Sequence, residues 1–279
     1  MTPATSANSD SFMTSAGRVF SLSVGEMLWS RRTIFMALVC GSPILVALVA
    51  RVVQSAGTAP LRVNGVQVDA VSLFGAIIWL LFLWFIVPVL GVFYGTSLIA
   101  DEVDDKTITY LFTRPVRRGA IVVGKFLAYL LCTTLVVLPS VMIVYFLMVP
   151  LRQVPASFVS LVIDLGVLGL GLAAYGALFA LVGAAFKRPL VVGLGFVFGW
   201  ELVTLILPGY LKRFTLAYYL QTLVPHSMPS NDTVSLLQGA VFRAPPSVLE
   251  SIAWLLLAIG VSLALAVKVV EQREYVLEQ

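Results

Sequence analysis

The run of 30 residues from Val71 to Ala100 contains no Asp, Glu, Lys, Arg or His. A helix needs about 20 mostly apolar residues to cross about 30 Å of hydrocarbon, where no water is present to pair with free backbone groups. This run is longer than one perpendicular crossing requires, and Pro88 predicts a kink within it. The run therefore constrains the chain to a membrane-spanning helix at this position.

Five further segments have the same apolar character. They cover residues 33–50, 125–150, 158–186, 189–207 and 250–268. With residues 71–100 they predict six transmembrane helices in an all-α integral membrane protein. The composition agrees, because 59% of the residues are hydrophobic and only 11% are charged, against roughly a quarter charged in soluble domains. The predicted membrane domain covers residues 17–270.

The positions of Lys and Arg predict the orientation of these spans. Cytoplasmic loops keep an excess of both residues. If the N-terminus is inside, 12 of the 18 Lys and Arg residues flank cytoplasmic span ends, and six flank outer ends. Both termini are therefore expected in the cytoplasm. The net charge of +4 is explained by cations that face lipid headgroups, and it does not predict a nucleic-acid partner.

Segments outside the spans divide into tails and interfacial elements. Residues 1–16 and 271–279 are expected to be cytoplasmic tails, the first of them disordered. Residues 17–32 place Phe20, Val24, Met27 and Leu28 at helical spacing, which predicts an elbow helix lying in the membrane interface. Aromatic residues and prolines in residues 208–247 predict short, partly re-entrant helices on the outer side.

Residues 101–118, here called the charged segment, follow the second span. Eight of the chain's 32 Asp, Glu, Lys and Arg residues fall in these 18 positions. They are Asp101, Glu102, Asp104, Asp105, Lys106, Arg114, Arg117 and Arg118. The predicted orientation places the segment in the cytoplasm. A loop that only joins two spans needs fewer charges, so the segment is expected to contact a cytoplasmic partner.

Capping rules predict a short coupling helix inside the charged segment. Because carboxylates at a helix C-terminus oppose the macrodipole, Asp101 and Glu102 are expected to begin a new element. Asp104 or Asp105 then caps a helix over residues 106–113, and Pro115 ends it. The apolar face of that helix consists of Ile108, Leu111 and Phe112. This face either docks on a protein or rests on lipid while the arginines bind headgroups; the four carboxylates favour docking.

The same residues resemble a known signature. In the permeases of the type-2 exporter family of ABC transporters, a Glu after the second span precedes a Thr-hydrophobic pair, an Arg-flanked Pro and a Gly-Lys. Glu102, Thr107-Ile108, Arg114-Pro115-Val116-Arg117 and Gly124-Lys125 occupy those places. The run GEMLWSRR, with Glu26 and Arg31-Arg32, is similar to the family's elbow helix. Asp105-Lys106 departs from the pattern, since family members commonly have Gly there.

The resemblance implies a permease subunit that pairs with a second permease copy, as a homodimer or a heterodimer, and binds two ATPase subunits in a bacterial plasma membrane. It implies no cofactor for this chain, with ATP and Mg²⁺ held by the partner ATPase, and no catalysis by the chain itself. No G-x-x-x-x-G-K-[ST] phosphate loop occurs. The residues assigned to the ATPase contact are Glu26, Arg31, Arg32, Asp101, Glu102, Asp104, Asp105, Lys106, Thr107, Ile108, Leu111, Phe112, Arg114, Arg117 and Arg118.

Two carboxylates fall inside predicted spans. A charged side chain near the bilayer centre costs about 2.5 to 3.5 kcal/mol on insertion scales, so Glu201 and Asp164 need an explanation. They lie either in the substrate path or at the dimer seam. Alternatively, Glu201 is protonated or bonded within the bundle and Asp164 reaches outer water, which is the favoured reading for Asp164.

Two other functions compete with export. An ion-gradient-driven transporter would use Glu201 as its proton carrier, but no internal repeat of the kind common in such transporters is visible. The sequence also lacks the motifs of a membrane enzyme, since it contains no HExxH and only one histidine, His226. No metal site is predicted, because Cys40 and Cys132 stand alone in separate apolar runs. The substrate is not predicted.

Overall fold

The computed structural model describes residues 12–29, 31–56, 62–63, 66–67, 70–104, 118–201, 213–225 and 246–272. These ranges are helical apart from turns and one short antiparallel ribbon. In the ribbon, β1 (Arg62–Val63) pairs with β2 (Val66–Gln67), so that Arg62 faces Gln67. The prediction of a helical membrane protein is confirmed at the level of class.

The helices are α1 (Phe12–Leu28), α2 (Arg31–Ala56), α3 (Ala70–Ile77), α4 (Val87–Leu90), α5 (Ser97–Asp104), α6 (Arg118–Met148), α7 (Val154–Ala185), α8 (Pro189–Gly195), α9 (Leu216–Leu223) and α10 (Val248–Gln272). Three π-helical segments, Ile78–Ile86, Gly91–Gly95 and Phe196–Glu201, directly follow α3, α4 and α8. The second span is thus one helical rod of alternating type.

Five stretches of the described chain are long and apolar enough to cross a membrane. They are Thr33–Ser55, Val71–Ala100, Gly119–Met148, Val154–Ala185 and Val248–Gln272. The predicted fifth span is described only over Pro189–Glu201, which is shorter, and its remaining residues lie outside the described ranges. The six-span layout therefore stays a prediction, as does the arrangement of residues 208–247, most of which also lie outside.

Pro88 lies where the second span changes helix type. The π-helical segment Ile78–Ile86 ends just before it, and Pro88 occupies the first turn of α4. Proline has no backbone N–H to donate, so it is tolerated best at the start of an α-helical segment. The π-helical segments on either side accommodate the interruption without ending the span.

The second and fourth spans form the centre of the bundle. Their apolar windows are each 61% buried within the chain, against 28% for the first span and 17% for the last. Helix α7 packs against α6, α10 and the π-helical segment Gly91–Gly95. Large apolar side chains such as Ile34, Leu38 and Leu257 remain exposed on the outer spans. A lipid-facing helix is expected to expose such residues.

Helix α1 begins earlier than the sequence predicted. It starts at Phe12, so residues 12–16 are helical and not part of a disordered tail, and residues 1–11 lie outside the described ranges. Ser15 and Ala16 are both buried, because this end of α1 packs on the start of α6. This tertiary packing adds stability that local propensity does not report. The interfacial position of α1 stays a prediction.

Three other helix ends also differ from the predicted bounds. Helix α6 starts at Arg118 and not after Lys125, α2 continues through Arg51 to Ala56, and α10 continues through Lys268 to Gln272. A basic residue near a span end does not stop a helix, since its long side chain can extend to the headgroups while the backbone bonds continue. The helices therefore extend beyond the predicted span bounds at these positions.

Candidate functional site

The acidic start of the charged segment is helical in the structure. Asp101, Glu102 and Asp104 lie in the last two turns of α5, which continues the second span. The prediction that Asp101 and Glu102 begin a new helix was wrong. Leu98 and Ile99 are buried, and α5 packs against α6 and α7. That burial outweighs the cost of carboxylates near a helix C-terminus, which is typically below about 1 kcal/mol at exposed sites.

Most of the predicted ATPase contact lies outside the described residues. This set consists of Asp105, Lys106, Thr107, Ile108, Leu111, Phe112, Arg114 and Arg117. The coupling helix and its cap therefore remain predictions. Arg118 is the first residue of α6, and Arg31 and Arg32 are the first two residues of α2. Glu26 lies exposed on α1.

The elements that flank the charged segment lie close to one another. Helix α5 packs against α6, and α1 packs against the start of α6. A β-carbon added to Gly124 of α6 would lie 2.7 Å from the carbonyl oxygen of Ala16 and 3.0 Å from Cβ of Val19. The backbones of α1 and α6 are therefore in direct contact at Gly124. The structure brings the predicted elbow helix to the Gly-Lys pair that follows the charged segment.

The end of the second span that leads into α5 packs closely on the fourth span because of glycines. A β-carbon on Gly183 would collide with the carbonyl oxygen of Thr96, the residue before α5. A β-carbon on Gly95 would lie 2.9 Å from Cβ of Phe179 and 3.1 Å from the carbonyl oxygen of Gly176. Small residues allow such close helix packing in membranes. Gly95 and Gly183 therefore serve the packing of the second span on the fourth.

A buried carboxylate and a buried phenol join the fourth span to the segment after α8. Tyr175 of α7 donates its hydroxyl hydrogen to Glu201, with Oε1 at 2.5 Å and Oε2 at 2.7 Å. Tyr175 is fully buried, and Glu201 is 7% exposed at the end of the π-helical segment Phe196–Glu201. Buried polar groups in proteins are nearly always hydrogen-bonded, and these two groups satisfy each other. Glu201 is thus bonded within the bundle.

Asp164 is fully buried in α7. The favoured reading, in which its carboxylate reaches outer water, was wrong, because the side chain of Asp164 has no exposed surface. Asp164 lies 11 residues before Tyr175 on the same helix, about 16 Å along the axis at helical rise. The structure therefore does not bring Asp164 together with Glu201 through this tyrosine.

Sequence reasoning missed the tyrosines that pair across spans, and three of them are described: Tyr129, Tyr145 and Tyr175. Besides Tyr175, Tyr129 of α6 donates its hydroxyl hydrogen to the carbonyl oxygen of Leu172 at 3.1 Å. Each is a tyrosine inside an apolar run, and a buried tyrosine hydroxyl usually finds a partner. That signal identifies the residues but not their partners. Among the residues that the structure describes, no three His, Cys, Asp or Glu side chains cluster as metal ligands would.

A search of curated proteins finds no match to the chain. The family model described as ABC-2 family transporter protein matches residues 6–274, which is nearly the whole chain. This match confirms the resemblance drawn from the charged segment and the elbow residues. The chain belongs to the ABC-2 transporter family, and it is accordingly a membrane permease component of an ABC transporter.

Proposed function

We propose that the chain is the transmembrane subunit of an ATP-driven exporter that works with two separate ATPase subunits and a second permease copy. The observation that carries this proposal is the continuity of the second span with α5, which holds Asp101, Glu102 and Asp104 in its last turns. A force applied at these carboxylates acts directly on a membrane-spanning helix. The ATP and Mg²⁺ belong to the partner ATPase, and this chain binds neither.

The charged segment is the contact with the ATPase. Its acidic residues end the second span and Arg118 begins the third, so a partner that holds the segment holds two spans at once. Helix α1 lies against the start of α6, the helix that follows the charged segment. A partner can shift the permease between two states only if it contacts the segment differently in each. ATP binding and hydrolysis supply those two partner states.

The buried carboxylates have different roles in this proposal. Glu201 acts inside the bundle through Tyr175. Asp164 is buried on the same helix as Tyr175, the fourth span. The exposed apolar faces of the outer spans contact lipid or the second permease copy. The protein sits in the bacterial plasma membrane with both termini in the cytoplasm. Its substrate leaves the cell or the inner leaflet by a path between the two copies.

Co-purification tests this function. The tagged chain is expressed in its own host, extracted in mild detergent and purified, and the bound proteins are identified by mass spectrometry. We expect one ATPase chain with a G-x-x-x-x-G-K-[ST] loop per permease chain, together with Mg²⁺-dependent ATP hydrolysis in the purified complex. A permease that purifies without any ATPase, and that moves solutes only while an ion gradient is present, would contradict the proposal.

A further inference from the structure

We propose that Tyr175 is a positioning residue through which displacement of the second span reaches Glu201 and the segment after α8. The inference rests on the proposed function, since it assumes that an ATPase moves the second span. It adds a route inside the membrane from that span to the predicted fifth span. The route has two contacts, one at each end of the Tyr175 side chain.

The first contact joins Tyr175 to the second span. A β-carbon added to Gly91 would lie 2.7 Å from Cβ of Tyr175 and 3.4 Å from its carbonyl carbon. No side chain separates the two helices here, because Gly91 has none. Packed interiors are dense and deform little, so a shift of the span at Gly91 must displace Tyr175 or open a gap. Gly91 begins the π-helical segment Gly91–Gly95, three residues after Pro88.

The second contact joins Tyr175 to Glu201. The hydroxyl donates to the carboxylate at 2.5 and 2.7 Å, and both residues are buried. A phenylalanine would fill the same volume, so the hydroxyl is required for the bond and not for packing. A buried carboxyl group that loses its hydrogen-bond partner is destabilised, and Glu201 is therefore expected to follow the hydroxyl when it moves.

Aromatic packing holds Tyr175 and the π-helical segment Phe196–Glu201 in fixed positions relative to each other. The ring of Tyr175 lies nearly parallel to that of Phe179, with centroids 6.1 Å apart. Phe179 meets Phe196 edge to face at the same centroid distance. Phe196 and Glu201 are the first and last residues of one π-helical segment. Both ends of that segment are thus held by α7, and π-helical segments inside helices frequently occur at functional sites.

The experiment uses the purified complex of permease and ATPase and compares Tyr175→Phe, Glu201→Leu and Glu201→Gln. Tyr175→Phe and Glu201→Leu remove the hydrogen bond, whereas the amide oxygen of Glu201→Gln can still accept it. We expect the first two to leave ATPase binding unchanged. We also expect them to reduce the permease-dependent stimulation of ATP hydrolysis about tenfold, the upper end of the range for one lost hydrogen bond. Glu201→Gln should retain most of the stimulation.

A second pair of variants tests the contact with the second span. Gly91→Ala places a methyl group against Tyr175, whereas Gly169→Ala on α7 has nothing within 4 Å of the added carbon. We expect Gly91→Ala to reduce stimulation as Tyr175→Phe does, and the double variant to reduce it no further. Gly169→Ala should match the native complex.

The possible results separate the inference from the proposed function. If no ATPase co-purifies with the native chain, the proposed function fails before Tyr175 is tested. If the ATPase binds and Tyr175→Phe stimulates hydrolysis as well as Gly169→Ala, the inference is wrong and the proposed function stands. If Glu201→Gln fails to restore stimulation, or if losses follow the melting temperature of the complex across all variants, Tyr175 is a structural residue only and the inference is overturned.

Discussion

Gly124 of α6 lies directly against the backbone of Ala16 in α1. A β-carbon at Gly124 would stand 2.7 Å from the Ala16 carbonyl oxygen, a distance that real β-carbons essentially never show. The neighbouring atom belongs to the backbone, so no flexible side chain can move aside. Ser15 and Ala16 are buried by this packing. The first helix is therefore part of the bundle and not a loosely attached element.

The substitution Gly124→Ala should detach α1 from α6. Overpacking in a close contact typically costs about 1 to 3 kcal/mol, and we expect a loss of that size in the free energy of unfolding. Titration with a denaturing detergent in mixed micelles measures it. The matched control is Gly17→Ala on α1, where an added carbon meets nothing within 4 Å. The same loss in both variants would contradict a specific α1–α6 contact.

The substitution Gly183→Ala should loosen the second span from the fourth. The added methyl group collides with the backbone of Thr96, and neither helix can yield through a side chain. We expect a loss of about 1 to 3 kcal/mol in the free energy of unfolding, with faster amide exchange around Thr96. Gly166→Ala on the same helix has open space and serves as the control. Slow exchange at Thr96 in the Gly183 variant would contradict the expected loosening.

The sequence predicted the long helices but not the contacts that stop or extend them. The uncharged run Val71–Ala100 matches a described span at both ends, because length and hydropathy alone define a crossing. Asp101 and Glu102 were misplaced because a rule about helix ends was applied to residues that tertiary packing keeps helical. Glu201 was recognisable as a charge in an apolar run, but its partner was not. Tyr175 lies 26 residues earlier, and no local periodicity connects the two positions.

The predicted orientation can be tested with two conservative Ser→Cys substitutions. Both native cysteines, Cys40 and Cys132, are only 2% exposed and should not react with a membrane-impermeant maleimide. Ser21 and Ser247 are exposed, and they lie before the first span and just before the last one. We expect Ser21→Cys to be labelled only in inside-out vesicles and Ser247→Cys only in right-side-out vesicles. The unsubstituted protein is the control, and the reverse labelling pattern would mean that the N-terminus is outside.

The substitution Glu102→Ala tests the charged segment itself. Glu102 lies in the last turns of a helix that is continuous with the second span, so the loss of its carboxylate should weaken the transmission of force and not the fold. We expect normal membrane insertion and an unchanged melting temperature. Permease-stimulated ATP hydrolysis should fall about tenfold, as for the loss of a charged hydrogen bond at a protein interface.

The matched control for Glu102→Ala is Glu250→Ala, which removes an exposed carboxylate from the first turn of α10. On the predicted topology this residue faces the outer side, where no ATPase can reach it. Hydrolysis should therefore stay at the native rate in the control. Native rates in both variants would show that the ATPase does not use the Glu102 carboxylate, and the contact would then have to lie elsewhere on the charged segment or on α1. A loss in both variants would instead indicate a general effect of removing surface charge.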